Sequence, residues 1–131
     1  MKSQKNSTYL EHTNITVADP DSLAELLCAL FDWRIRWSGA SIHDGYSVHV
    51  GGDHSYLALY TNKQVLTDQQ RGHSILHNLN HVAVVVPDLA SVEAKVKNKG
   101  LEPFNFGNYE PDSRFYFYTE AGLEVEVVSY P

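Results

Sequence analysis

Leu10–Ser22 (LEHTNITVADPDS) and Leu79–Ser91 (LNHVAVVVPDLAS) decide the fold, because they read as one segment written twice. At an offset of 69 residues, Leu, His, Val, Asp and Ser coincide, five identities in 13 positions. Unrelated segments of that length share about one, so an internal repeat is the first hypothesis for the chain. Ile15 against Val84 adds a conservative match. Further on, Asp44–Val50 (DGYSVHV) aligns with Asp112–Tyr118 (DSRFYFY), and Tyr56–Tyr60 (YLALY) with Glu124–Val128 (EVEVV), both at an offset of 68. A loop between helix and second strand absorbs the difference.

Each copy reads as a strand, a helix and three strands. Leu10–Val17 is rich in β-branched residues and predicts a strand. Asp19 is placed to cap a helix, with Pro20 at its first position. Leu23, Leu26, Leu27 and Leu30 follow at helical spacing. Arg34–Trp37, Tyr46–Val50 and Tyr56–Tyr60 predict short strands separated by Gly-containing turns. In the second copy Asn80–Val86 is a strand and Asp88 a helix cap. Leu89, Val92 and Val96 form the apolar stripe, and Gly100 ends the helix. Phe104–Phe106, Arg114–Tyr118 and Glu124–Ser129 complete the set, with Glu120–Gly122 as the last hairpin turn. Between the copies, Lys63–Asn78 supplies 16 mostly polar residues. That is long for a connection inside a compact domain and suits a linker between modules. The expected organisation is one domain over residues 1–131, made of module 9–62, linker 63–78 and module 79–130. A module of about 50 residues is marginal alone, so two must stabilise each other.

Composition narrows the function classes. The chain has 131 residues, 43% hydrophobic and 20% charged, an ordinary globular mix. Ten Lys+Arg against 16 Asp+Glu give a net charge of -6, which argues against nucleic acid or an anionic membrane as partner. No apolar run reaches the roughly 18 residues of a membrane helix. The start MKSQKNSTY lacks the apolar core of a signal peptide, and the one cysteine, Cys28, can form no internal disulfide, so a cytoplasmic location is expected. What is unusual is the number of histidines, seven.

A twice-repeated βαβββ module that opens on Leu-x-His and reaches Val-x-Asp resembles the vicinal oxygen chelate superfamily. That group includes glyoxalase I, methylmalonyl-CoA epimerase, extradiol dioxygenases, fosfomycin-resistance thiol transferases and bleomycin-resistance proteins. The resemblance runs from about Tyr9 to Tyr130. It implies an α+β fold in which two modules form a curved mixed-sheet cup with helices on the outer face. It also implies a homodimer and metal ligands on the first and last strand of each module. Those positions are His12, Ala58, His81 and Glu126. Three of them can ligate a metal and Ala58 cannot.

Side-chain alternation is consistent with that placement. On the first strand, His12, Asn14 and Thr16 share the more polar face, opposite Thr13, Ile15 and Val17. On the last strand, Glu124, Glu126 and Val128 oppose Leu123, Val125 and Val127. Two neutral imidazoles and a carboxylate suit a divalent first-row ion, with Fe, Mn, Zn, Ni and Co not distinguished. Such an ion acts as a Lewis acid that holds two neighbouring substrate oxygens. The resemblance therefore implies a small metal-dependent enzyme of the lyase, isomerase, dioxygenase or thiol-transferase kind. Fosfomycin chemistry fits less well, since Phe106 stands where those enzymes carry a lysine. The resemblance also places Arg114, Tyr116 and Tyr118 toward the cup, with Tyr56 and Tyr60 opposite. Tyr116 and Glu124 are then the candidate catalytic groups, as hydrogen-bond donor and general base. Asn14, Tyr56, Tyr60 and Arg114 are the candidate substrate contacts. His43, His49 and His54 fall in or beside hairpins and read as structural or surface residues. His73, His77 and His81 are spaced by four, but Gly72 and the strand after Asn78 argue against a helical zinc site. The alternative to an enzyme is a non-catalytic binding protein, similar to bleomycin-resistance proteins, that holds a small aromatic or cationic ligand in a tyrosine-rich cup.

Overall fold

The computed structural model describes residues 7–66, 70–109 and 112–131. Its elements run β1 (His12–Thr16), α1 (Pro20–Phe31), β2 (Arg34–Ser41), β3 (Gly45–Gly51) and β4 (Tyr56–Thr61), then β5 (Val82–Val85), α2 (Leu89–Asn98), β6 (Phe104–Tyr109), β7 (Asp112–Tyr118) and β8 (Glu124–Ser129). This is the βαβββ order twice. The chain divides into two compact units, Met1–Cys28 with Trp33–Val65, and Ala29–Asp32 with Leu66–Pro131.

The two sheets have the same topology, β1-β4-β3-β2 and β5-β8-β7-β6. In each, the first strand pairs parallel with the last, and the other pairings are antiparallel. Parallel neighbours need a crossover, and the helix supplies it. Both helices begin as the sequence dictates. Asp19 accepts a hydrogen bond from the Ser22 amide at 3.1 Å, and Asp88 accepts one from the Ser91 amide at 3.3 Å. α2 ends in a Schellman turn, with Gly100 at φ 79° donating to the Lys97 carbonyl and Leu101 donating to the Val96 carbonyl. Among the described residues no helix is long and apolar enough to cross a membrane.

One face of each sheet is core. In the first unit, Val48 and Val50 of β3 and Leu57 and Leu59 of β4 are buried, as are Leu23, Ala24 and Leu27 of α1. Tyr46, on the Val48–Val50 face, donates to Asp21 of α1 at 2.6 Å and ties the helix to that face. In the second unit α2 lies on β7 and β8. Val92 and Val96 are buried there with Phe115, Phe117, Val125 and Val127.

Three features depart from the sequence reading. β2 runs to Ser41, beyond Trp37, because it stays paired with β3 down to the tight turn where His43 and Asp44 take φ near 57° and 55°. β6 runs to Tyr109, across a bulge at Asn105 (φ 57°). The third departure concerns register. Ala58 faces His49 across β3–β4, whereas Glu126 faces Tyr116 across β7–β8. With Ala58 and Glu126 as counterparts, His49 corresponds to Tyr116, not Phe117, and the alignment of Asp44–Val50 with Asp112–Tyr118 is one residue out. The hairpins explain this. Gly51 pairs Tyr56 across four intervening residues, and Tyr118 pairs Glu124 across five. A one-residue slip inverts every side chain on a strand, so it changes which residues can serve a site.

Candidate functional site

The face away from the helix carries every candidate residue in each unit. In the second unit Glu126 lies at the centre of β8, with its side chain 8% exposed. A carboxylate so far from water must be compensated. Arg114 supplies one partner, with Nη1 donating to Glu126 Oε2 at 2.5 Å. His81 supplies the other, its Nε2 lying 3.0 Å from Glu126 Oε1. The Nδ1 of His81 lies 3.8 Å from Glu124, which is two residues along β8 on the same face. His81 precedes β5, whose Ala83 is level with Glu126. It thus reaches the β8 carboxylates from the neighbouring strand. Tyr116 packs edge-on against His81, ring centroids 5.6 Å apart. No hydrogen bond is formed by its hydroxyl among the described residues. Phe104 stacks on Tyr118 and leans against Tyr116. Glu124, opposite Tyr118, pushes the Tyr118 hydroxyl pKa up.

This face therefore gathers His81, Glu126, Glu124, Arg114 and Tyr116, all expected there. The expected role of Arg114 gains a qualification. Its guanidinium holds Glu126, so it orients a carboxylate of the protein itself.

In the first unit His12 is level with Tyr56, and Asn14 with Ala58. His12 Nδ1 is 2.9 Å from Glu11 Oε1, and the Tyr56 hydroxyl donates to the same oxygen at 3.3 Å. Those two hydrogen bonds hold the Glu11 carboxyl below its ordinary pKa, the His12 one most strongly. The rings of His12 and Tyr56 stack at 4.9 Å with planes 14° apart. Tyr56 in turn stacks on His49 at 4.7 Å, and His49 leans on Trp37 at 5.0 Å. A row of four rings thus crosses β1, β4, β3 and β2. The Arg36 guanidinium lies 4.5 Å from the Tyr56 ring centre. Tyr60 is used differently. Its hydroxyl donates to the Ile42 carbonyl at 2.7 Å and accepts from Asn62 at 3.1 Å, which fixes the β2–β3 turn.

His49 is the residue that sequence reasoning passed over. It is half-buried on the His12 face, and neither ring nitrogen has a hydrogen-bond partner among the described residues. Burial, then the nearby charges of His12 and Arg36, hold its pKa below the ordinary histidine value, against an opposing pull from Glu11. The signal was present in Tyr46–Val50, where Val48 and Val50 alternate with Ser47 and His49. The hairpin assignment hid it. Residues 73–77 form turns rather than a helix, so His73, His77 and His81 make no helical ligand set. Cys28 is partly buried on α1, and desolvation raises its thiol pKa.

Among the described residues no group of three His, Cys, Asp or Glu side chains is arranged to hold a metal ion. The donor chemistry can be tested on the pair that is together. Two donors about 2.1 Å from one ion, at right angles, lie about 3.0 Å apart. His81 Nε2 and Glu126 Oε1 have that separation. With Arg114 on the remaining carboxylate oxygen, the set fits a borderline divalent ion.

No protein-family model matches the sequence, and no curated protein matches it. Solved structures do match. A glyoxylase/bleomycin resistance protein/dioxygenase domain from Frankia sp. EAN1pec is 15% identical, with 95% of this chain and 98% of that chain covered, at a TM-score of 0.77. A glyoxalase family protein from Enterococcus faecalis is 13% identical over 92% of this chain and 96% of that one, with a TM-score of 0.72. The fosfomycin resistance protein FosX from Listeria monocytogenes, complexed with Mn(II) and sulfate, is 14% identical over 95% and 93% of the two chains, with a TM-score of 0.69. The duplicated βαβββ chain thus has the fold of the glyoxalase, bleomycin-resistance and dioxygenase domains and of FosX.

Proposed function

We propose that this protein is a small divalent-metal-dependent enzyme acting on a substrate with two neighbouring oxygens, with His12, His81 and Glu126 as its ligands. The observation that carries this reading is the His81 Nε2–Glu126 Oε1 pair at 3.0 Å on the half-buried face of the second unit. Support for a divalent ion also comes from the Mn(II) in the similarly folded FosX. The third ligand, His12, holds the matching place in the first unit. A homodimer is part of the proposal, and His12 serves either its own chain or a second copy.

When bound, the ion supplies Lewis acidity toward the two substrate oxygens. The protein's own groups do the rest. Glu126 contributes one carboxylate oxygen to the site, while Arg114 holds the other and fixes the orientation. Tyr116 offers a hydroxyl hydrogen bond to the substrate from beside His81. Glu124, near His81 and Tyr118, is the proton acceptor. Asn14 and Tyr56 line the His12 side, with Asn14 level with Ala58, which offers no ligand atom of its own.

The test is Mn(II) uptake by chelator-free protein, read by metal analysis and by electron paramagnetic resonance. The expected result is specific uptake that His81→Ala, Glu126→Gln and His12→Ala each weaken by tenfold or more. A wild type that takes up no divalent ion, or variants that bind as it does, would sink the proposal.

One observation favours a second reading. Arg114 and His81 stand against the two oxygens of Glu126, so each carboxylate oxygen has a protein partner without an ion. In that case the protein is a non-catalytic binder of a small aromatic or cationic molecule. EDTA discriminates between the readings. It lowers the Tm of a metalloprotein, which gains stability by mass action from its ion, and leaves that of the binder unchanged.

A further inference from the structure

We infer that Glu11 is a positioning residue that fixes the tautomer and direction of His12, so that Nε2 is the nitrogen presented to a ligand. The inference rests on the reading of His12 as a ligand. Nothing in the sequence repeat pointed to it, because Glu11 corresponds to Asn80, whose side chain instead accepts from Asn78 at 2.7 Å.

Glu11 is itself fixed. Its backbone carbonyl accepts from the Tyr56 amide at 3.0 Å, which ties it to the start of β4. Its side-chain Oε1 lies 2.9 Å from His12 Nδ1 and accepts the Tyr56 hydroxyl at 3.3 Å. The Tyr56 ring then covers the imidazole, 4.9 Å away and nearly parallel. His12 is therefore held at one ring nitrogen and along one ring face. An ionised carboxylate only accepts, so a neutral imidazole in this contact carries its proton on Nδ1 and has its lone pair on Nε2. A histidine whose other N–H is held by a carboxylate is both oriented and more basic toward a metal. His81 is held less closely at Nδ1. Its Nε2 faces Glu126, and its Nδ1 stands 3.8 Å from Glu124. The two repeat-related histidines thus differ in what stands at Nδ1: His12 has the Glu11 carboxylate there at 2.9 Å, whereas the corresponding Asn80 turns to Asn78.

The test uses the intact, metal-free protein with 15N-labelled histidine at a pH where His12 is neutral. The expected wild-type signature is protonated Nδ1 and unprotonated Nε2 at His12. Glu11→Ala should shift the population to the Nε2–H tautomer, and Glu11→Gln, whose amide oxygen still accepts, should retain the wild-type pattern. In a second arm, Mn(II) affinity should fall about tenfold in Glu11→Ala and be largely kept in Glu11→Gln. An Nε2–H tautomer in the wild type, or no change in Glu11→Ala, overturns the inference. So does a tautomer shift that leaves Mn(II) affinity unchanged. If the wild type takes up no Mn(II) while the tautomer result holds, the metal reading falls and Glu11 stands as the residue that sets the His12 tautomer.

Discussion

Removing the Arg114 guanidinium should destabilise the protein through Glu126. The two side chains are 25% and 8% exposed, and their closest atoms are 2.5 Å apart. Unit charges centred about 4 Å apart attract by about 4 kcal/mol at an effective dielectric of 20. Against that loss, His81 Nε2 stays 3.0 Å from the other carboxylate oxygen, an interaction of about 1 kcal/mol. Arg114→Leu should therefore cost about 2–3 kcal/mol, most of it the penalty of leaving a buried carboxylate half-compensated. For a chain of this size that is a fall in Tm on the order of 10 °C. The assay is urea unfolding at neutral pH, with the m-value checked for constancy. The double variant Arg114→Leu/Glu126→Leu should recover much of the loss, because the charge that needed a partner is gone. A single-variant cost below about 0.5 kcal/mol would refute the reasoning, since it would place the pair in the range of surface ion pairs. Costs that simply add in the double variant would refute it too.

Two further predictions concern β3. A Cβ on Gly51 would fall inside the Ser55 carbonyl and against the backbone of Tyr56, whereas one on Gly52 would meet nothing within 4 Å. Gly51→Ala should cost about 1–3 kcal/mol and Gly52→Ala close to nothing, measured by the same unfolding titration. His49 gives a pH dependence. Its folded pKa lies below the ordinary histidine value, so the unfolded chain takes up the proton first as pH falls. Its contribution is intact above about pH 6.5 and is lost as the pH drops through that value toward the depressed one. His49→Phe, which keeps a ring between Tyr56 and Trp37, should lose less stability than wild type between pH 7.5 and 5.5. Equal losses would show that burial of His49 does not govern its titration.

The fold was legible because its signals are local and repeated. Asp19 and Asp88 cap helices at corresponding places, Gly100 ends one in a left-handed turn, and strand alternation separates Val125 and Val127 from Glu124 and Glu126. Each is a property of a few adjacent residues, and each occurs in register with its copy. His12 and Glu126 are consistent with the same periodicity, since a residue's face follows from counting by twos along its strand, whereas His81 rests on its place in the repeat.

Contacts across strands were not legible, because they depend on register. The extra residue in the β7–β8 hairpin shifts β7 by one position relative to β3, and identity between YSVHV and its counterpart is too low to reveal it. Only the pairing of Ala58 with His49 and of Glu126 with Tyr116 shows which side chains share a face. The sequence by itself determined a duplicated βαβββ chain and the strands that carry its histidines and carboxylates. Tertiary structure decided that Arg114 holds Glu126, that Glu11 holds His12 and that His49 joins the ring row. Arg114 and Glu126 meet across paired strands 12 residues apart, and Glu11 is held in place on His12 by Tyr56, 45 positions away, so backbone register decides which of these groups meet.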